Sequence, residues 1–342
     1  MKATIVDVAK KAGVSVATVS RVVNGNYPVR ESTRGRVQRA IEALQYVPNL
    51  QARELNMQRS TNIGVVVPSL YNMFFSEVID GIEEYLRCGS YSLLLCCAKN
   101  DSGLEAQCIN DLMSRNVSGI IVISPNTENI ETKFYDRVAK RQPMVFINSI
   151  KHVPNASYVS NDEAAGARTA LQYLLKLGHE RILFVRGAGS DSYRLKEEVY
   201  REIMGRMGSV DESCIVNIGE GNSIHTVDRT TACLLELLPG SRATAILCCN
   251  DLMGVGALNA CKRLAIRVPQ DMSVMGYDNV SLSRFVEPKL TTMDQNMPQL
   301  GRNAAELLIE KIETGRNKTI VLENVLVARD TTGPRGAGHS SS

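Results

Sequence analysis

From Ile63 onward, short runs of Val, Ile and Leu alternate with longer amphipathic stretches, and this alternation limits the fold more than any other feature. A continuous β-branched run has no wet side, so it describes a strand buried on both faces. Helices between such runs describe a parallel sheet covered above and below. The runs fall at 63–67, 91–97, 119–124, 144–148, 182–185, 245–249 and 273–276. Helical patterns follow most of them, at 75–87, 104–115, 164–177, 194–207, 226–238 and 252–264. That is too many units for one sheet of usual width, so two α/β lobes are expected. The first takes in 62–161 and the second 162–290. A last helix at 298–313 and a strand at 319–328 are expected to return to the first lobe, which assigns 291–330 to it. The Gly- and Ser-rich stretch 331–342 is expected to be a disordered tail.

The first sixty residues have another texture. Thr4 and Asp7 stand at capping-box spacing, and Ile5, Val8, Ala9 and Ala12 then share one helical face. Gly13 breaks that helix, and Ser15 can cap a second whose inner face is Val19, Val22 and Val23. Asn24-Gly25 ends it. A third helix is predicted over 32–44, with Val37, Ala40, Ile41 and Leu44 on one side, and Pro48 closes the unit. The stretch 50–57 reads as helical but is too short and polar to be stable alone. At 342 residues the chain exceeds one ordinary core. The plan is therefore a small all-α head of residues 1–49, a linker of 50–61, and a two-lobed α/β body.

Charge separates the same parts. Residues 1–61 carry ten Lys and Arg against four Asp and Glu, a balance of +6, while the remainder carries −3. A basic head on a slightly acidic body suits a polyanion. Two helices joined by a Gly turn and covered by a third make a helix-turn-helix. On the second helix Val16, Ala17 and Arg21 point away from the valine seam. The first two could meet thymine methyl groups, and Arg21 could pair with guanine. Ser15, Thr18, Ser20 and Asn24 suit phosphate oxygens. A three-helix bundle that binds protein would show the same spacing.

Several classes are disfavoured. No apolar run approaches the ~20 residues of a membrane span, and the N-terminus shows no apolar export region, so a cytoplasmic protein is expected. Nine Cys, two pairs of them inside apolar runs, read as reduced core residues. The four His are scattered and no CxxC occurs, so neither a metal nor another cofactor is expected. Common hydrolase, metalloprotease and nucleotide-binding motifs are missing, which argues against an enzyme.

The quoted residues resemble one known family. Thr4-Ile5-Val6-Asp7-Val8-Ala9, Ala12-Gly13-Val14-Ser15 and the run from Ala17 to Gly25 are similar, almost position by position, to the signature of the lactose-repressor (LacI/GalR) family. The likeness continues through Tyr46-Val47-Pro48-Asn49 and Ala52-Arg53-Glu54-Leu55. In the body it includes Ile63 to Pro68, Asn250-Asp251-Leu252-Met253, Val268-Pro269-Gln270-Asp271 and Gly276-Tyr277-Asp278-Asn279. It spans about residues 3–330. The resemblance implies a repressor that is homodimeric on a pseudo-palindromic operator, with a periplasmic-binding-protein-like body that holds a small-molecule effector between its lobes. A ligand-binding protein without a DNA role, or a regulator controlled by a protein partner, are the alternatives.

Carried over residue by residue, the likeness makes Val16, Ala17 and Arg21 base readers. It makes 50–57 a hinge helix that folds on operator DNA, with Leu55 wedged into the minor groove. Thr4, Tyr46, Asn49 and Arg53 join the DNA-facing set. In the body it implies an effector site of Phe74, Phe75, Asn148, Asp251, Asp278 and Gln295. The chain departs from the pattern where the family has an effector-clamping Arg, since Lys196 stands there and Arg194 lies two residues earlier. Lys lacks the planar fork of Arg. Gly219-Glu220-Gly221-Asn222 also offers no aromatic. An anionic effector drawn by Arg194 and Lys196 is one expectation; control by a partner protein is the other.

Overall fold

The computed structural model describes residues 3–24, 27–47, 60–89, 91–208 and 211–335, and divides the chain into two compact units between Ser60 and Thr61. In the first unit, helix α1 (Ile5–Ala12) opens with a reciprocal cap. Asp7 N donates to Thr4 Oγ1 at 3.4 Å, and Thr4 N donates to the Asp7 carboxylate at 2.9 Å. Gly13, at φ +64°, turns the chain where a side chain would be strained. Helices α2 (Val16–Asn24) and α3 (Glu31–Leu44) complete the unit. Val8, Ala9, Ala12, Val19, Val37 and Ala40 form its core. The expected hinge helix 50–57 and the turn at Gly25 lie outside the described residues.

The body's strands are β1 (Asn62–Val67), β2 (Ser92–Cys97), β3 (Gly119–Ile123), β4 (Met144–Ile147), β5 (Ser157–Asn161) and β6 (Ile182–Ala188). Then come β7 (Ile215–Glu220), β8 (Ala245–Cys248), β9 (Ser273–Met275), β10 (Thr292–Asp294), β11 (Thr319–Leu322) and β12 (Val325–Val327). Its helices are α4 (Met73–Cys88), α5 (Ser102–Ser114), α6 (Thr127–Glu131), α7 (Phe134–Val138) and α8 (Glu163–Lys176). They continue as α9 (Asp191–Arg206), α10 (Thr226–Leu237), α11 (Asp251–Arg263), α12 (Leu282–Phe285) and α13 (Met297–Thr314).

The first lobe is a parallel sheet of order β11-β5-β4-β3-β1-β2. Successive residues of each strand serve opposite cores. Val65, Ile121, Val145 and Val159 face α4 and α13, while Val66, Ile120, Val122 and Phe146 face the other side. The helices α4 and α13 cross at backbone distance. A Cβ on Gly301 would stand 2.0 Å from Val78 O, and one on Gly81 would stand 2.1 Å from Pro298 O. The second lobe is a parallel sheet of order β7-β6-β8-β9, with Leu183, Val185, Ile246 and Val274 in its core.

Four parts of the sequence reading need correction. The strands β5, β7 and β10 have no continuous apolar run to announce them. The region 319–328 is two strands, β11 in the first sheet and β12 paired antiparallel with β10. Residues 291–330 do not all belong to the first lobe. Met293 is part of the second lobe's core and Leu326 packs against it, while α13 and β11 return to the first. The chain therefore crosses between lobes three times. Nor does a disordered tail begin at 331. Thr331 is fully buried and its hydroxyl accepts from Thr291 N at 2.8 Å, Gly333 O meets His179 Nε2 at 3.0 Å, and Arg335 N donates to Leu177 O at 2.8 Å. These bonds satisfy a backbone that would otherwise be left to water. Residues 336–342 lie outside the described set.

Candidate functional site

The first unit presents a short outward face. Val19 of α2 is fully buried, and this turns Val16, Ala17 and Arg21 to the surface, with Val16 41% exposed. Two hydroxyls expected at phosphates are already partners of each other. Ser15 Oγ caps α2 by accepting from Thr18 N at 3.2 Å and lies 2.9 Å from Thr18 Oγ1. Thr4 is likewise committed to Asp7, and Tyr46 is half-buried against the small core. Arg21 is restrained by a residue that the sequence reading passed over. Its guanidinium carbon lies 5.4 Å from the centroid of the exposed Tyr27 ring. A contact with a ring face steadies the cation and consumes no N–H donor. The Asn24 side chain, Asn49, Arg53 and Leu55 lie outside the described residues.

In the body a cavity of about 930 Å³ opens between the lobes. Its walls are the loops at the carboxyl ends of both sheets, where parallel α/β sheets place ligands. Ser124 follows β3, Asn148 follows β4, Gly221 and Asn222 follow β7, Cys249 and Asn250 follow β8, and Asp278 lies beyond β9. Ser124, Asn148 and Asp278 all have positive φ, with Asp278 at 113°, a conformation that a side chain rarely adopts. Such strain collects where surrounding structure forces a loop to aim a group.

Phe74 and Phe75 line this cavity, but as members of the first lobe's core. They are 6% and 4% exposed, with rings edge to face 5.4 Å apart. The Asn148 side-chain oxygen accepts from Asn161 N at 3.0 Å. Asp278 is 4% exposed and its Oδ1 accepts from Gln295 Nε2 at 2.6 Å. Burial pushes the Asp278 carboxyl up to about 7, against the downward pull of the Lys196 ammonium. Gln295 Oε1 is buried and has no hydrogen-bond partner.

The cationic side chains of the second lobe are already answered. Lys196 is 2% exposed and lies 3.7 Å from the Glu163 carboxylate. It donates to Ser192 Oγ at 3.1 Å and Cys249 O at 3.3 Å, and its Nζ stands 3.8 Å from the centre of the Tyr277 ring. Arg194 is held by Asp191 at 3.0 Å and Glu198 at 3.1 Å, and Arg186 is paired with Glu197. An anion expected at Arg194 and Lys196 would have to displace carboxylates of the protein itself. Asp251, expected in the site, does not line the cavity. Its carboxylate accepts from Val280 N at 2.9 Å and Thr292 Oγ1 at 2.6 Å, which fastens α11 to the crossing segments. It sits at the first position of α11, one residue past the strand-end loop, and so points the other way.

Sequence reasoning missed the residues that join the lobes. Asn72 caps α4, its Oδ1 accepting from Phe74 N at 3.0 Å, and its Nδ2 donates across the cleft to Asn222 Oδ1 at 2.9 Å. The same Asn222 oxygen accepts from Tyr193 Oη at 3.0 Å, and Asn222 O accepts from Ser69 Oγ at 2.6 Å. Asn250 Nδ2 donates to Gly221 O at 2.9 Å and to Tyr193 Oη at 3.0 Å. Thr127 meets Asp191, and Asn100 Nδ2 reaches Glu220 at 3.4 Å. The only available signal was Asn222, in a loop noted for lacking an aromatic.

Comparison with known proteins gives the family. Residues 4–49 match the family described as bacterial regulatory proteins, lacI family, and 171–332 match the periplasmic binding protein-like domain. The chain is 33% identical over 325 residues to the HTH-type transcriptional repressor PurR of Vibrio atlanticus (strain LGP32), covering 94% of this chain and 95% of that protein. It is 34% identical over 340 residues to catabolite control protein A of Priestia megaterium, covering 97% and 100%. The crystal structure of the Lac repressor dimer bound to operator and the anti-inducer ONPF superposes with a TM-score of 0.82 at 27% identity, covering 97% and 100%. These relatives are transcription regulators, not enzymes. Among the described residues no helix is long and apolar enough to cross a membrane. With a lacI-family head and relatives 33% and 34% identical over nearly its whole length, this chain belongs to the lacI family of bacterial regulatory proteins.

Proposed function

We propose that this regulator represses transcription in the cytoplasm as a homodimer on a pseudo-palindromic operator, and that a small effector between its lobes sets its affinity for DNA. The observation that carries the reading is the outward face of α2, where Val16, Ala17 and Arg21 stand opposite a fully buried Val19. A helix presenting small apolar side chains and one arginine can enter a major groove and read thymine methyls and a guanine. Ser15, Thr18, Ser20 and Tyr46, with Thr4 at the start of α1, would orient the head on phosphates. Asn24, Asn49, Arg53 and the Leu55 wedge would complete the contact, with 50–57 as the hinge helix that folds on operator DNA. The solved Lac repressor relative is a dimer on its operator, which supports the stoichiometry.

The effector would sit among Asn148, Asp278 and Gln295, against the Phe74 and Phe75 rings. It acts by binding one lobe arrangement more tightly than the other. The test is a mobility shift of the full chain on promoter fragments, repeated with a chain starting at Thr61. The full chain should hold one fragment with an affinity that falls steeply with salt. The shorter chain should remain folded and lose it; specific binding by the shorter chain would place the DNA site elsewhere.

A further inference from the structure

The geometry points to a cationic effector: a small polar molecule whose protonated amine seats between the Asp278 carboxylate and the orphaned Gln295 Oε1. This inference rests on the effector reading above. The cavity is lined by four basic and six acidic side chains. Three of the basic ones, Arg186, Arg194 and Lys196, are bound by the protein's own carboxylates, which leaves only Lys99 at the exposed mouth. At the floor the imbalance is sharper. Asp278 and Glu163 are two buried carboxylates facing one buried ammonium, Lys196.

A second observation, independent of charge, points the same way. Gln295 is 3% exposed and lines the cavity. Its Nε2 is spent on Asp278 and its Oε1 has no donor. A buried acceptor beside a buried carboxylate asks for one group with several N–H donors and a positive charge, and an ammonium has three. A hydroxyl would supply one donor and no charge. A phosphate or carboxylate would meet Asp278 and Gln295 Oε1 as a third acceptor.

Ionisation of Asp278 gives the proposal a readout that needs no variant. The titratable groups around it are Lys196 and Tyr193 on α9, Glu163 on α8, Asp251 on α11, Cys249 after β8 and Tyr277 beside it, and its carboxylate is hydrogen-bonded by the Gln295 and Asn72 amides. A cation favours the ionised carboxylate, so binding should expel a proton near neutral pH, and affinity should fall as pH drops through about 7.

The experiment titrates the full chain with glucosamine, glucose, glucose 6-phosphate, putrescine and butane-1,4-diol, reading thermal stabilisation and operator affinity. Calorimetry in buffers of different ionisation heat counts protons. At least one amine is expected to bind at least tenfold more tightly than its hydroxyl partner, to release protons at pH 7, and to weaken at least tenfold in Asp278→Asn and in Gln295→Leu. Preference for glucose, the diol or the phosphate, or amine binding without proton release, overturns the cation and leaves the effector reading standing. Silence from every probe counts against the effector reading itself and takes the cation with it.

Discussion

Asn72 of the first lobe donates its Nδ2 to Asn222 Oδ1 of the second at 2.9 Å, so the lobes of this regulator are joined across the cleft by two amide side chains. Asn72 is at the same time the cap of α4, and Asn222 is at the same time the partner of Tyr193. Either side chain therefore senses the position of the other lobe while remaining part of its own.

The first prediction follows from that pair. Asn222→Ala should strip Asn72 Nδ2 of its acceptor in the second lobe and leave Tyr193 Oη only the longer bond to Gly221 O at 3.3 Å as donor, at a cost of about 1–3 kcal/mol. Part of that cost can be relieved by opening the cleft to water. Small-angle scattering should then give a larger radius for the variant, and operator affinity without added ligand should change. An unchanged radius and affinity would mean that the pair does not hold the lobes.

A second prediction concerns base reading. Arg21→Ala should cost about 1–3 kcal/mol at one base pair of each half-site and little elsewhere. Tyr27→Leu, which removes the ring beside that guanidinium, should give a smaller loss at the same base pair. Affinities on a panel of single-base operator variants check both. A uniform loss for Arg21→Ala across the panel would make it a phosphate contact.

The crossing of α4 and α13 supplies a third. Gly301→Ala puts a Cβ 2.0 Å from Val78 O, and backbone cannot move aside as a side chain would. The helices must separate, with a penalty of about 1–3 kcal/mol or more. Thermal unfolding should show a body of lowered stability, while the head's base preference on short operator fragments stays as in the wild type.

The fourth is a dependence on pH. Asp278 is raised to about 7 and Asp251 is raised in the same direction, both chiefly by burial. A carboxyl whose folded value lies above its unfolded value binds its proton more tightly in the folded chain. Its contribution is complete below about 4 and is lost as pH climbs through 7. Denaturant titrations should show the wild type losing stability over that interval and Asp278→Asn losing less. Parallel curves would mean that Asp278 ionises as readily folded as unfolded.

Much of the architecture was legible because its signals are local. Runs such as Ile120-Ile121-Val122 and the capping pair Thr4 and Asp7 carry their structure within a few residues. β5 was not legible, since Ser157 and Asn161 owe their burial to β4 and β11 on either side. The cleft was half legible. Family resemblance pointed to Asp278 and Gln295, but whether Lys196 is an open cation depends on Glu163, thirty-three positions away in sequence and 3.7 Å away in space. Asp251 shows the opposite failure, since an acidic residue beside a strand end reads as a ligand until its two donors are seen.

One strand has a mechanical meaning. β1 begins at Asn62, directly after the segment that tethers the DNA-reading unit, and ends at Val67, one residue before Pro68 of the cleft wall. Its six residues make a rod about 20 Å long. Hydrogen-bonded neighbours on both edges, β2 and β3, prevent it from sliding or stretching. The cleft wall at Pro68 and the unit boundary at Thr61 therefore stand at the two ends of one stiff, doubly paired strand.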